Sequence, residues 1–103
     1  MKFTTWERLF LLVVLGQEKG TKEHIEKVLS IIKALDLTPD EASKINFKNK
    51  NGVIEWSEEE STIWEIDITK DKLLNVIFPI LDKYDKWTPN DLETIYKMRD
   101  RLL

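Results

Sequence analysis

Apolar residues recur along this chain with two different periods. Ile25, Val28, Leu29, Ile32 and Leu35 follow the i, i+3, i+4, i+7 stripe of an amphipathic helix, while Lys22, Glu26, Lys27 and Lys33 fall elsewhere. Leu92, Ile95, Tyr96 and Leu102 repeat that stripe near the end of the chain. Ile63 to Ile68 alternates instead. Trp64, Ile66 and Ile68 lie on one side and Glu65 and Asp67 on the other, which is the period of a half-buried strand. Leu73, Leu74, Ile77, Ile80, Leu81 and Tyr84 read as one more helix, yet Pro79 lies inside it. An interior proline removes a hydrogen bond and clashes one turn back, at about 3 kcal/mol. This helix therefore kinks near residues 75–78 or divides there, and we expect the kink.

Local punctuation fixes where these elements begin. Thr4-Thr5-Trp6-Glu7 sets an N-cap threonine three residues before a glutamate, the pattern of a capping box. Thr38-Pro39-Asp40-Glu41 is a fuller version, with proline at the first helical position. Thr88-Pro89-Asn90-Asp91 repeats it, and Thr21 and Thr69 open two further segments. Five starts predict about five helices. Between them, Asn51-Gly52 tolerates the positive φ angles of a two-residue type I′ turn and predicts a hairpin. That register faces Lys50 with Val53, Asn49 with Ile54, Lys48 with Glu55, and Phe47 with Trp56.

The predicted fold is α+β, a single domain over residues 1–103. About five helices pack on a small three-stranded antiparallel sheet built from residues 45–49, 53–57 and 62–68. Phe47, Ile54, Trp56, Trp64, Ile66 and Ile68 are its core candidates. From the helices come Leu9, Leu12, Val13, Ile25, Val28, Leu29, Ile32, Leu73, Ile77, Leu81, Leu92, Ile95 and Tyr96.

Composition narrows the function more than it defines it. The chain is 42% apolar and 34% charged, an ordinary globular balance, and has no cysteine for disulfides or thiolate metal sites. The apolar run Leu9–Leu15 is too short to cross a bilayer, and Glu7 before it argues against a signal peptide. The expected location is the cytoplasm of a bacterial host cell. Net charge is −3 and uneven: residues 1–56 carry nine Lys/Arg and eight Asp/Glu, residues 57–103 seven and eleven. The acidic second half speaks against general nucleic-acid binding.

No catalytic or metal constellation assembles from the motifs, so neither an enzyme nor a cofactor is expected. His24, the one histidine, sits in a helix first turn and reads as solvated. Glu58-Glu59-Glu60 lacks the ligand spacing and glycine of a calcium loop, as does the grouping Asp82, Asp85 and Asp91. Gly16, Gly20 and Gly52 fit no phosphate-binding pattern. Two features remain. Lys44, Lys48 and Lys50, on a short helix running into a hairpin, suggest a winged-helix-like contact with DNA. Four tryptophans are many for this length. Trp6 and Trp87 stand at helix starts, where each serves as a staple or as an anchor for a partner protein, with Leu92 the expected staple partner of Trp87.

Several stretches together resemble a group of small proteins encoded in bacteriophages and prophages. They are Trp6-Glu7-Arg8-Leu9 with Leu11-Leu12, Glu18-Lys19-Gly20, Leu37-Thr38-Pro39-Asp40-Glu41 and Asn51-Gly52-Val53-Ile54-Glu55-Trp56. Glu65-Ile66-Asp67-Ile68, Leu81-Asp82-Lys83, Thr88 and Tyr96 continue the likeness over nearly the whole chain. Gly16-Gln17, where that group has a proline, and Pro79 depart from it. The resemblance implies a genomic setting and no activity. The function expected is a non-enzymatic protein-interaction module, a phage-encoded modulator of a host or phage protein, monomeric or homodimeric. The alternative is a winged-helix-like DNA-binding regulator.

Overall fold

The computed structural model describes residues 1–57 and 62–103. Its order is β1 (Lys2–Thr4), α1 (Thr5–Leu15), α2 (Lys22–Leu35), α3 (Pro39–Lys44), β2 (Lys48–Lys50), β3 (Val53–Glu55) and β4 (Ile63–Glu65). Then α4 (Lys70–Lys72), a π-helical segment (Leu73–Ile77) and α5 (Phe78–Lys83) follow one another without a break, and α6 (Pro89–Leu102) ends the chain. The fold is α+β. All five predicted threonines cap helices: Thr4, Thr21, Thr38, Thr69 and Thr88 each accept a backbone N–H from three residues on. At Thr4 and Thr38 the reciprocal bond from Glu7 and Glu41 completes the capping box.

The three-stranded sheet is not what forms. Among the described residues, two separate two-stranded antiparallel sheets stand in its place, β1–β4 and β2–β3. The third strand pairs with the unpredicted β1, through Lys2↔Glu65, Phe3↔Trp64 and Thr4↔Ile63. The Ile66 N–H extends the ladder to the Met1 carbonyl at 2.8 Å. The hairpin has the predicted register, with Lys48↔Glu55, Asn49↔Ile54 and Lys50↔Val53, and Asn51 and Gly52 adopt φ of 52° and 82°. Its ladder stops one residue short of the Phe47–Trp56 pair for a local reason. Asn46, at φ 51°, ends α3 in a Schellman motif: the Asn46 N–H donates to Ser43 O and the Phe47 N–H to Ala42 O. The left-handed Asn46 breaks the extended backbone there, so β2 begins only after Phe47.

Pro79 does not divide its helix: it stands in the first turn of α5, directly after the π-helical segment. The Phe78 N–H reaches five residues back to Leu73 O, so the wider π segment lies immediately before the proline, where an α-helical interior would suffer the clash. Asn75 Nδ2 donates to Asp71 Oδ1 at 2.6 Å along this stretch.

The core joins both ends of the chain. Phe3, Leu11, Leu15, Ile31, Leu35, Ile45, Leu73, Ile77, Ile95 and Met98 are buried, and Trp64, Ile66 and Ile68 close it from the β4 side. Val28 and Leu81 are buried as expected, but Val13, Leu29 and Tyr96 are exposed. The stripes of α2 and α6 are turned relative to the prediction. Ile31 faces inward instead of Leu29, and Met98 instead of Tyr96. Phe47, Ile54 and Trp56 are only half-buried. The Glu58-Glu59-Glu60 loop lies outside the described residues.

Two charged side chains are locked into this core. Arg8 is 2% exposed. Its Nε donates to Leu35 O, its Nη2 to Asp36 O at 2.7 Å, and its two terminal nitrogens hold the Glu41 carboxylate at 3.0 and 2.8 Å. One guanidinium thus satisfies the carbonyls at the end of α2 and joins α1 to α3. The Arg8 hydrogen bonds are the main cause that holds the Glu41 carboxyl down at about 2. Burial opposes them and the Thr38 N–H adds to them. Glu7, also buried, accepts from the Thr4 N–H and from Arg101 (Nη1 to Oε2, 3.0 Å), while Arg101 Nη2 donates to Lys2 O. This ties α6 to the start of α1.

Candidate functional site

The outer side of α1 carries what the inner side does not bury. Trp6 and Phe10, one helical turn apart, stack with ring centroids 4.8 Å apart and planes 10° from parallel. Phe10 in turn meets Trp87 at 5.4 Å and the edge of Tyr84 at 5.8 Å, and Tyr84 meets Trp87 edge-on at 5.2 Å. Tyr84 leaves α5 in an extended conformation (φ −65°, ψ 133°), which carries the link to Trp87 back over α1. Trp6 and Trp87, singled out separately from sequence, therefore belong to one aromatic group. Phe10 and Tyr84, which connect them, were not singled out. The Trp6-to-Phe10 spacing of four was the signal for the first. Trp87 also lines a depression with Leu92, its expected staple partner.

Beside this group the hairpin leans over α1 and leaves an apolar cleft. One part, of about 340 Å³, is lined by Leu9, Leu12, Val13, Leu37, Ala42, Phe47 and Ile54, with Asp36 at its edge. A second part, of about 160 Å³, is lined by Trp6, Leu9, Phe10, Val13, Ile54 and Trp56. The two share Leu9, Val13 and Ile54, so they form one trough. Val13, placed in the core from sequence, is 42% exposed within it. Trough and aromatic group are continuous through Trp6 and Phe10.

The lysines of the DNA-binding alternative stand on α3 and β2. Lys44 Nζ lies 5.4 Å from the Trp64 ring centroid, on the ring that Arg8 also covers at 5.1 Å. Lys48 and Lys50 are exposed on β2. The short α3 has Asp40 and Glu41 in its first turn, and Glu41 is engaged by Arg8.

His24 differs from the solvated residue expected. Its Nε2 is 2.8 Å from Glu18 Oε2, and Lys83 Nζ approaches the same carboxylate at 3.2 Å. Burial pushes the Glu18 carboxyl up, but the hydrogen bonds from His24 and Lys83 outweigh it and hold it below the usual value. The three side chains clasp the α1–α2 turn to the end of α5. Among the described residues, no group of three or more His, Asp or Glu side chains is placed to hold a metal ion, and no helix is long and apolar enough to cross a membrane. Neither a scan against protein-family models nor searches of curated proteins and of solved structures gives a match.

Proposed function

We propose that this chain is a small non-enzymatic module that binds another protein through the face running from Trp87 and Phe10 across Trp6 into the α1–hairpin trough. The observation that carries this reading is the exposed Val13 at the centre of a continuous lining of Trp6, Leu9, Phe10, Ile54 and Trp56. Contiguous apolar surface of this kind, rimmed by polar residues, marks interaction sites, and tryptophan is favoured among the residues that dominate binding energy. The resemblance to phage and prophage proteins supplies the setting: a phage-encoded modulator acting on a host or phage protein in the bacterial cytoplasm. Partner capture from bacterial lysate tests it, comparing the parent protein with Trp6→Ala and Val13→Asp. A partner held by the parent should be lost from both, with Trp6→Ala weakening it by about 2 kcal/mol, roughly thirtyfold. Equal retention by all three proteins would remove the reading.

The DNA-binding alternative draws support only from the outward Lys48 and Lys50. Gel-shift titration at two salt concentrations separates it, since phosphate contacts make affinity fall steeply with salt.

A further inference from the structure

We propose that Asn51 is a site of spontaneous deamidation and isoaspartate formation, and that the hairpin covering the trough is the element this reaction opens. Asn51 and Gly52 are both exposed at the hairpin tip. In a two-residue loop the closing bonds join the flanking pair, here Lys50 and Val53, so the Gly52 amide belongs to the turn and not to the ladder. That amide nitrogen is the nucleophile. A Cβ placed on Gly52 would meet no residue beyond its chain neighbours within 4 Å, and the glycine carries no side chain of its own to hinder approach to the Asn51 side-chain carbonyl.

The step balances with water as the only co-reactant. The Gly52 nitrogen gives its proton to solvent base and bonds to Asn51 Cγ. The Cγ–Nδ2 bond breaks, and the side-chain nitrogen leaves as ammonia with a proton from water. Water then opens the five-membered imide. Cleavage at Cγ yields aspartate, whereas cleavage at the main-chain carbonyl yields isoaspartate, in which the chain runs through the former side chain and gains one backbone atom.

Both products alter the tip. Each adds a negative charge beside Lys50, and the isoaspartate lengthens a turn whose geometry fixes the Lys50↔Val53 register. Loss of that register frees Ile54 and Trp56 from Leu9 and Val13, which they face across the trough.

The test is peptide mapping of the intact protein incubated in buffer at neutral and mildly alkaline pH. Asn46 and Asn49 in the same segment serve as internal references. The expected result is loss of the Asn51 amide, faster at the higher pH, with isoaspartate detected by enzymatic methyl labelling while Asn46 and Asn49 keep their amides. Gly52→Ala should slow the loss. Asn51 keeping its amide as long as Asn49 does would overturn the proposed site. For the structural consequence, cross-strand amide contacts of residues 48–55 are read by NMR in aged protein and in Asn51→Asp. The contacts should vanish in the aged isoaspartyl fraction and persist in Asn51→Asp; their survival in both would overturn the opening of the hairpin.

Discussion

The two sheets of this protein are alike in size and opposite in support. Each has two antiparallel strands of three residues. The β1–β4 pair joins residues some sixty positions apart, yet Phe3 and Trp64 are buried, the Trp64 indole N–H donates to Thr5 Oγ1 at 2.8 Å, and Arg8 covers its ring. The β2–β3 pair closes over two residues and presents little to the core: Val53 is 59% exposed and Ile54 half-buried. Where loop closure is costly, side-chain burial holds the strands together. Where the turn itself fixes the register, burial is dispensable and the strands are left at the surface.

The sharpest way to break this contrast is at Trp64. Trp64→Ala removes the ring that Arg8 and Lys44 both approach and the indole N–H that donates to Thr5 Oγ1. It should cost about 3–5 kcal/mol, seen as a fall in the denaturant midpoint. A loss below about 1 kcal/mol would mean the two sheets are not differently held.

Acid should act on the same end of the molecule. Because the folded Glu41 carboxyl is depressed to about 2 from 4.5, its contribution is complete above the ordinary carboxylate range. It is lost as pH falls from there through the folded value. The amount is roughly 3 kcal/mol. In thermal melts, Glu41→Gln should flatten that acid limb and lower stability at neutral pH. An unchanged limb would refute the assignment.

Hairpin substitutions should be milder. Trp56→Ala, at a half-buried ring, should cost about 1–2 kcal/mol, well under the loss at Trp64. Smallest is Gly52→Ala at φ 82°, about 1 kcal/mol, read as weakened amide protection confined to residues 48–55.

What could be read in the sequence follows the same division. The threonine caps, Pro39, and the Asn51-Gly52 turn were legible because each acts within four residues of itself. β1 was not: three residues carry no period, and its partner is far along the chain. The helical stripes were found but misoriented, since Val28 with Leu29 and Ile32 fits the template as well as Val28 with Ile31 and Leu35. Burial of Arg8 and Glu7 was invisible for a related reason, because their partners Glu41 and Arg101 stand 33 and 94 positions away. Of the site, Trp6 and Trp87 were legible as unusual residues. Their union through Phe10 and Tyr84 was not, because it depends on how α5 and α6 are joined in space.

Gly20 shows how a neighbour rather than the backbone can dictate a residue. A methyl group there would stand 2.8 Å from His24 Cδ2, so the imidazole reaches Glu18 only by occupying the volume that any larger residue would fill. Enlarging position 20 and deleting the ring are therefore two routes to the same broken contact. Made together, they should cost less than the sum of their separate penalties.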